Sequence, residues 1–365
     1  MRKGWEYKRL DECANIEYGT RVVQKKDSGT LYPVYGGGGE TFRMDKFNRE
    51  DCLIVARFAM SRRCVRFVNG KFFLNDSGLS VKAGDKLYQS YLNYNIISLN
   101  DDIYHLGKGA AQRNLDVKSF KKLTIAIPPQ STQLAIVSEL DKINELIRLK
   151  KEQLKDFDNL AQSLFYEMFG DPVENEKGWE VKKIKDIATE KLSYGSGASA
   201  VPFNKSVRYI RITDINEYGE LKDEKVSPNI YDEKYLLAEG DILFARSGAT
   251  VGKTYLHKQN EIPCIYAGYL IRLRPNELLV LPNYVYYYTK SNYYKSFICA
   301  NQRVVAQPNI NAKQYGDLDI PLPPLSLQRL FAQRIEQIER EKSEVQKSIQ
   351  DLETLLASRM QYWFE

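Results

Sequence analysis

The sequence predicts two tandem mixed α/β domains, each followed by a long helix, with the two helices paired as an antiparallel coiled coil. Two observations support this fold class: an apolar stripe that occurs twice, and short motifs that return in the same order. Within each stripe the apolar side chains step by four and then three residues, a spacing typical of a coiled-coil seam. The predicted seam residues, which we also expect to dock partners, are Ile136, Leu140, Ile143, Ile147, Leu154, Phe157, Phe331, Ile335, Ile338, Val345, Ile349 and Leu352. Three charged residues interrupt the stripes: Lys150, Lys342 and Arg359.

Both helices follow the same proline pair, at residues 127–129 and 322–324. Proline ends the preceding strand and suits the first turn of a helix. The predicted domains are therefore residues 1–128 and 171–323, and the predicted helices are 129–170 and 324–365. Each helix would be roughly 50 Å long at 1.5 Å per residue. Antiparallel pairing would place the two domains at opposite ends of a rod, related by a pseudo-two-fold axis.

The internal repeat extends through the globular regions. Segments 4–10, 18–19, 51–57 and 111–115 return as 178–184, 194–195, 240–246 and 306–310. Because the offset grows from 174 to 195, the second copy carries extra residues in its loops. Strand-like runs at 95–99, 122–127, 208–212, 241–245 and 269–273, with a helical stretch at 283–294, predict a mixed α/β domain in each copy. We interpret the chain as a tandem duplication of a domain plus a helix.

Composition limits the class of protein. A chain of 365 residues favours two or more domains, and a net charge of +6 permits a polyanionic partner. Five cysteines without CxxC spacing argue against a disulfide framework or a zinc site. The first residues lack the apolar core of a signal peptide, and no apolar run approaches the roughly 20 residues that span a bilayer. These features predict a cytoplasmic protein without a membrane partner.

Motifs for catalysis are weak. Residues 248–254 resemble a phosphate-binding loop, but three residues instead of four separate the glycines, so we predict a turn after a strand. The histidines, His105 and His257, have no cysteine or carboxylate at ligand spacing, which argues against a metal site or a catalytic triad. An Asn-Pro-Pro-aromatic tetrapeptide, expected of an amino-group DNA methyltransferase, is absent. We predict a chain without enzymatic activity, metal or cofactor of its own.

Candidate binding residues cluster after the repeated strands and in the loops before the helices. Arginine pairs bidentately with guanine, and glutamine with adenine, while lysine holds phosphates. The residue types in these loops therefore suit contacts with DNA bases and phosphates. The candidates are Arg57, Arg62, Arg63, Lys108, Gln112 and Arg113 in the first copy, and Arg246, Ser247, Lys253, Gln302, Arg303 and Gln307 in the second.

Taken together, the duplicated plan, the proline pairs and these loops resemble the DNA specificity subunit of type I restriction-modification systems. The segments that carry the resemblance are 209–215, 240–248, 306–310 and 320–324. The likeness covers the whole chain and is strongest in the second copy and the helices. In the first copy, Arg57-Phe58-Ala59 replaces the family's usual Arg-Ser-Gly.

The resemblance implies that each globular copy is a target recognition domain for one half of a split, asymmetric sequence in double-stranded DNA. The helices would fix the spacing between the halves and dock two modification methyltransferase subunits. Those subunits would use S-adenosylmethionine to methylate adenine. Restriction subunits using ATP and magnesium would complete the assembly.

Three alternatives remain open on the sequence. The chain could be a non-catalytic scaffold that holds two protein-binding domains on a coiled-coil rod, without salt-dependent affinity for DNA. It could be a detached specificity portion of a single-chain restriction-methylation enzyme, with one type of catalytic partner. Nucleotide hydrolysis at the Gly248 loop would require that this chain binds ATP.

Overall fold

The structure is a computed structural model that describes residues 2–109, 112–302 and 309–365. Two sets of residues form separate compact units, Met1–Lys151 with Lys347–Glu365 and Glu152–Gln346. Each unit therefore holds one globular portion and half of each long helix, whereas the sequence places the boundaries at the helix ends. The reason is that each half-helix contributes apolar side chains to the core of its own unit.

The first unit is built around a mixed six-stranded sheet in the order β2-β7-β5-β6-β3-β4. Its neighbours are antiparallel except for β3 and β6, which are parallel. The strands are β1 (Glu6–Arg9), β2 (Ala14–Tyr18), β3 (Tyr32–Tyr35), β4 (Glu40–Met44), β5 (Arg49–Ala56), β6 (Val65–Leu74), β7 (Gly78–Ala83), β8 (Gly107–Lys108), β9 (Asn114–Leu115) and β10 (Thr124–Ile127). The helices are α1 (Leu10–Cys13), α2 (Gln24–Asp27), α3 (Gln89–Ser98), α4 (Asn100–His105), α5 (Val117–Lys121), the first half of α6 (Gln130–Phe169) and the second half of α10 (Leu325–Phe364).

The second unit contains a four-stranded sheet in the order β12-β19-β16-β17 and several two-stranded pairs. Its strands are β11 (Glu180–Lys183), β12 (Ser193–Tyr194), β13 (Ala200–Pro202), β14 (Arg208–Ile210), β15 (Val226–Pro228), β16 (Ile242–Ala245), β17 (Thr254–Leu256), β18 (Cys264–Tyr266), β19 (Leu270–Leu273) and β20 (Asp319–Leu322). Its helices are the second half of α6, α7 (Pro282–Tyr288), α8 (Asn292–Gln302), α9 (Ala312–Gly316) and the first half of α10 (Leu325–Phe364). Short 3₁₀ turns cover Ile184–Ile187, Ile212–Asp214, Glu233–Tyr235 and Gly248–Thr250.

The internal repeat is visible in the topology. Strands β2-β7-β5-β6 correspond in order to β12-β19-β16-β17. The first strand of each copy pairs antiparallel with the strand before its long helix, β1 with β10 and β11 with β20. The copies differ at the edges, because β3 and β4 extend the first sheet whereas the second unit has the separate pairs β13-β15 and β14-β18. The prediction of two tandem mixed α/β copies is confirmed.

One predicted strand is wrong. Residues 95–99 lie at the end of helix α3 and just beyond it, not in a strand. The pair Ile96-Ile97 favours a strand locally. In the folded chain, however, Tyr91, Leu92, Asn95 and Ile96 are buried together on one face of α3. Burial of that helical face therefore overrides the local preference of the two isoleucines.

In each unit the two half-helices run antiparallel and share their apolar side chains with the globular core. In the first unit, Ile136 and Leu140 of α6 lie in one core with Leu356 and Met360 of α10. In the second unit, Leu164 and Met168 lie in one core with Phe331, Ile335 and Ile338. The buried members of the predicted seam are Ile136, Leu140, Ile143, Ile147, Phe331, Ile335, Ile338, Val345 and Ile349. Leu154, Phe157 and Leu352 are half-buried.

Two charged interruptions of the seam form ion pairs between the helices. The Lys342 ammonium lies 2.7 Å from Asp158 on the partner helix and 3.6 Å from Glu339 on its own. In the first unit, Arg359 pairs with Glu139, which also accepts a hydrogen bond of 3.1 Å from the Trp363 indole. Apolar seams tolerate sliding, whereas a charged pair is satisfied in one alignment only. These pairs therefore specify the register of the half-helices in each unit.

A buried glutamine attaches the start of each long helix to its globular portion. The Gln133 side-chain oxygen accepts a 2.9 Å hydrogen bond from the Tyr88 amide, and its amide group donates to the carbonyls of Lys86 and Pro128 at 2.9 Å. Gln328 repeats the pattern: it accepts from the Leu281 amide at 2.8 Å and donates to Pro323 at 2.8 Å.

Both glutamine side chains are fully buried. Tyr88 and Leu281 immediately precede helices α3 and α7. The sequence analysis did not single out either glutamine, although each stands four residues after the second proline of its pair. The buried glutamines hold α6 against α3 in the first unit and α10 against α7 in the second.

We predict that Gln133→Leu and Gln328→Leu each lower the free energy of unfolding by about 2 kcal/mol, because each leaves buried amide and carbonyl groups without partners. Urea unfolding of the purified chain measures the change. Gln130→Leu, at an exposed position in the first turn of α6, is the matched control and changes stability little. Equal stability of Gln130→Leu and Gln133→Leu would contradict the assigned role.

Candidate nucleic-acid interface

Arg57 stands directly after strand β5, where three segments of the first unit meet. Its backbone amide donates to the Ser77 carbonyl at 2.8 Å, and its carbonyl accepts from the Leu115 amide at 2.8 Å. Its guanidinium carbon lies 5.2 Å from the centre of the Tyr18 ring and 4.5 Å from that of Phe58. The guanidinium also donates a hydrogen bond of 3.3 Å to the Asp76 carbonyl oxygen. The arginine is thereby held between aromatic rings and backbone.

Arg246 occupies the same place in the second unit, directly after strand β16. Its amide donates to the Tyr269 carbonyl at 3.0 Å, and its carbonyl accepts from the Ile310 amide at 2.9 Å. Its guanidinium carbon lies 4.7 Å from the centre of the Tyr194 ring. The Nε group donates to the Asn309 side chain at 3.2 Å.

Each tyrosine is followed by a glycine that the local packing requires. A Cβ on Gly19 would lie 1.8 Å from the Asn75 carbonyl oxygen, and one on Gly195 would lie 2.4 Å from that of Ala267. These approaches are too close for any side chain. The glycine amides donate to the neighbouring strands, to Gly78 at 3.1 Å and to Leu270 at 3.2 Å. The close passage places each tyrosine next to its arginine.

We call these two clusters the Arg–Tyr sites. The first consists of Tyr18, Gly19, Arg57 and Asn114, whose side-chain oxygen accepts from the Ala59 amide at 3.2 Å. The second consists of Tyr194, Gly195, Arg246 and Asn309. The structure thus brings together three of the motifs that recur in the sequence. Sequence reasoning identified the arginines but gave the tyrosines no role. The signal that could have found them was present, because the Tyr-Gly pair recurs in step with the strand that ends on arginine.

The second residue after each arginine has a left-handed backbone conformation, although the residue type differs. Ala59 has a φ of 50° and Gly248 a φ of 66°, both in the left-handed region. That conformation costs an alanine about 1 kcal/mol more than a glycine. The replacement of Arg-Ser-Gly by Arg57-Phe58-Ala59 therefore keeps the left-handed φ at this position, at the cost of backbone strain.

Other predicted residues of the first unit surround the ring of Tyr104. The guanidinium carbon of Arg113 lies 4.6 Å from the ring centre and that of Arg62 lies 5.9 Å from it. The Arg113 carbonyl accepts from the Met60 amide at 2.9 Å, which connects this pair to the turn after Arg57. Arg63 and Gln112 are exposed. The structure therefore places Arg62 and Arg113 together, next to the first Arg–Tyr site.

Lys108 differs from the other predicted cations because a carboxylate neutralises it. Its ammonium lies 2.6 Å from Asp116. Asp116 also caps helix α5 by accepting hydrogen bonds from the backbone amides of Lys118 and Ser119. The hydrogen bonds from Lys108 and Ser119 lower the pKa of Asp116 to about 2. Much of the positive charge of Lys108 is thereby compensated within the protein.

The predicted residues of the second unit lie around the turn after β16. Ser247 forms a backbone bridge with Asn309, and the Thr250 hydroxyl donates to the Ser247 carbonyl at 3.0 Å. The Lys253 ammonium donates to the Ile215 carbonyl at 3.4 Å. Residues 248–253 therefore form a turn between strands β16 and β17, as predicted. Gln302 ends helix α8, while the candidates Arg303 and Gln307 lie outside the described residues.

The electrostatics of these side chains distinguish them from other arginines of the chain. Arg49, Arg211 and Arg274, for example, each pair with a carboxylate at 3.2 Å or less. A second group of cations has no ion pair with a carboxylate among the residues that the structure describes. This group is Arg57, Arg62, Arg63, Arg113, Arg246 and Lys253. These cations are available for an external anion.

The two histidines have local partners instead of metal-binding surroundings. His105 Nδ1 lies 2.7 Å from the Asp101 carbonyl oxygen, and the buried His257 lies 3.2 Å from the Tyr255 hydroxyl. Burial lowers the pKa of His257. Over residues 2–109, 112–302 and 309–365, no group of three or more histidine, cysteine or acidic side chains is arranged to hold a metal ion. Within the same ranges, no helix has the length and apolar character needed to cross a membrane.

Comparison with known proteins gives consistent matches. The family model of the type I restriction modification DNA specificity domain matches residues 2–156 and 176–354. The type I restriction enzyme MjaVIII specificity subunit of Methanocaldococcus jannaschii is 24% identical over 79% of this chain and 75% of its own length. A putative type I restriction enzyme specificity subunit of Haemophilus influenzae, S.HindORF215P, is 24% identical over 92% of this chain and 87% of its own.

Solved structures resemble the fold. The S subunit of a type I restriction-modification system from M. genitalium aligns with a TM-score of 0.55 at 18% identity, over 98% of this chain and 95% of its own. A chain from a structural study of assembly and conformational transition in a type I system aligns with a TM-score of 0.57 at 18% identity, over 100% of this chain and 98% of its own. With both copies of the domain matched by the family model, the chain belongs to the family of type I restriction-modification DNA specificity proteins.

Proposed function

We propose that each unit binds one half of a split, asymmetric sequence in double-stranded DNA, through its Arg–Tyr site and the side chains around it. One observation carries this proposal. The same arrangement, a guanidinium on a tyrosine ring after the same strand, occurs in both copies of a domain whose family is defined by DNA specificity. The surroundings of the two sites differ, which suits half-sites of different sequence.

The electrostatics of the sites support DNA as the ligand. Neutralising backbone phosphates releases counterions, and this release supplies much of the affinity of proteins for DNA. The cations around Arg57 and Arg246 that have no carboxylate partner within the described part of the chain are suited to that role. Arginine also forms the commonest specific base contact, with guanine in the major groove. The sites therefore combine groups for affinity with groups for sequence recognition.

We propose that the long helices dock two modification methyltransferase subunits. The helices would also fix the distance between the half-sites. Most of the predicted seam is buried within the helix pairs, so we assign docking to exposed apolar positions instead. Leu160 and Leu355 stand 195 residues apart, at equivalent points of the repeat, and are 52% and 46% exposed. Two equivalent positions on two equivalent helices suit two copies of one partner.

The proposed division of labour leaves the chemistry to the partners. The methyltransferase subunits would bind S-adenosylmethionine and methylate adenine, and restriction subunits would use ATP and magnesium. This chain would supply recognition and assembly, without catalytic activity or a cofactor of its own. Its proposed location is the cytoplasm, together with the DNA.

We predict that N6-methyladenine appears at a split motif of two different half-sites with a fixed gap, in cells that express this chain with its methyltransferase. Replacing residues 178–322 by the corresponding segment of the Haemophilus influenzae relative changes one half-site only, because that segment holds the second recognition surface. Whole-genome methylation mapping measures both results. The reciprocal replacement of residues 4–127 is the control and changes the other half-site. Methylation that does not depend on this chain would favour a protein scaffold instead.

We also predict that the double variant Leu160→Asp, Leu355→Asp forms a complex with fewer than two methyltransferase subunits per chain, because a charge disfavours burial in the interface. Native mass spectrometry gives the stoichiometry. Leu278→Asp, at a position 82% exposed in a loop outside the helices, is the matched control and keeps two. A full complement of partners on the double variant would exclude these leucines from the docking surface.

A further inference from the structure

The two units share some features around their binding sites and differ in others, and this division has a functional meaning. A side chain that distinguishes bases has to match the particular half-site that its unit recognises. A side chain with the same position and the same partners in both units is suited to a group that both half-sites contain. In DNA that common group is the phosphate backbone.

The shared features are the arginine, its ring and its backbone contacts. In each unit the arginine amide donates to a backbone carbonyl in the turn before β7 or β19. The arginine carbonyl accepts from the backbone amide of Leu115 or Ile310. Each guanidinium lies on a tyrosine residue that is more than 40% exposed. Neither guanidinium has a carboxylate partner among the described residues. Stacking and hydrogen bonds restrain the guanidinium plane before any ligand arrives.

A restrained guanidinium suits a phosphate. Arginine can form two parallel hydrogen bonds to one phosphate, and restraint of the side chain lowers the entropy lost on binding. In Arg246 the contact with Asn309 uses Nε, and the terminal nitrogens have no partner among the described residues. Those nitrogens are the donors that would contact the phosphate.

Several features next to the Arg–Tyr site of the first unit have no counterpart among the described residues of the second. Arg62 and Arg113 lie near the Tyr104 ring. Arg66 donates to the Gly37 carbonyl at 3.3 Å and also to that of Gly38, so it fixes the glycine loop between β3 and β4. Strands β3 and β4 have no counterpart in the four-stranded sheet of the second unit.

We propose that Arg57 and Arg246 each bind a DNA backbone phosphate, one in each half-site and independently of sequence, whereas Arg62 and Arg113 recognise bases of the first half-site. This inference rests on the proposed function, since it divides the DNA contacts of the same sites between phosphate and base. It assigns affinity to the features that the copies share and specificity to those in which they differ.

The first test is the salt dependence of DNA binding by the complex of this chain with its methyltransferase. Each phosphate contact contributes roughly 0.9 to the slope of log affinity against log salt concentration. We expect Arg57→Gln and Arg246→Gln each to lower that slope by about one and to weaken binding about tenfold at constant salt. Arg57→Lys and Arg246→Lys keep the charge and should retain the slope. The methylated motif stays the same in all four variants.

The matched control for charge is Arg9→Gln, because Arg9 is an exposed arginine that pairs with Asp11 at 2.7 Å. It should leave the slope unchanged. Thermal unfolding of every variant separates loss of DNA contact from loss of fold. A slope that is unchanged in folded Arg57→Gln and Arg246→Gln would give the two arginines a structural role only and overturn the proposal.

The second test concerns the bases. We expect Arg62→Gln and Arg113→Gln to relax one or more positions of the first half-site in genome-wide methylation maps and to leave the second half-site intact. Relaxed sequence preference in Arg57→Gln or Arg246→Gln would overturn the assignment to phosphate. If the unmodified chain directs no split motif at all, the proposed function fails, and that result is distinct from any result on the variants.

Discussion

The apolar stripe of the two long helices is the constraint on which the rest of the structure depends. Helices of this length expose a continuous apolar face to water unless they pair. In each unit the half-helices satisfy this requirement by packing against each other and against the globular portion. In the second unit the rings of Phe165, Phe169, Tyr284 and Phe331 form one cluster with centroids 4.8–5.9 Å apart. Helix pairing and the core of the globular portion are therefore one cooperative structure.

Burial of apolar surface alone does not specify how the two helices are aligned, and polar groups supply that alignment. An apolar seam stabilises many alignments of two helices almost equally, whereas an ion pair and a buried amide are satisfied in one alignment. Lys342 with Asp158 and Arg359 with Glu139 specify how the half-helices are aligned. Gln133 and Gln328 specify where each helix begins relative to its own globular portion. A protein proposed to measure the distance between two half-sites depends on such fixed alignments.

The two copies of the domain share the Arg–Tyr site, whereas the sheets around that site differ between the copies. The glycine, the strand end and the loop amide constrain one another through close packing and backbone hydrogen bonds. The left-handed turn after the arginine is kept even where alanine replaces glycine, at Ala59. The surrounding sheets are free of that constraint and differ between the copies. Different surroundings of the same central site are consistent with the proposed recognition of two different half-sites.

The sequence by itself determined the long helices, their start after the proline pairs, most of their seam and the duplicated plan, because these follow from periodicity and local chemistry. It also predicted Arg57 and Arg246 as DNA-binding residues, a prediction on which the proposed function builds. Tertiary structure decided that Tyr18 and Tyr194 lie next to those arginines, that Asp116 neutralises Lys108, that the Gln133 side chain is buried and that residues 95–99 favour a helix. Most of these outcomes depend on contacts between segments distant in sequence or on burial against a common core. The order of strands in the sheet, which no local pattern encodes, sets those contacts.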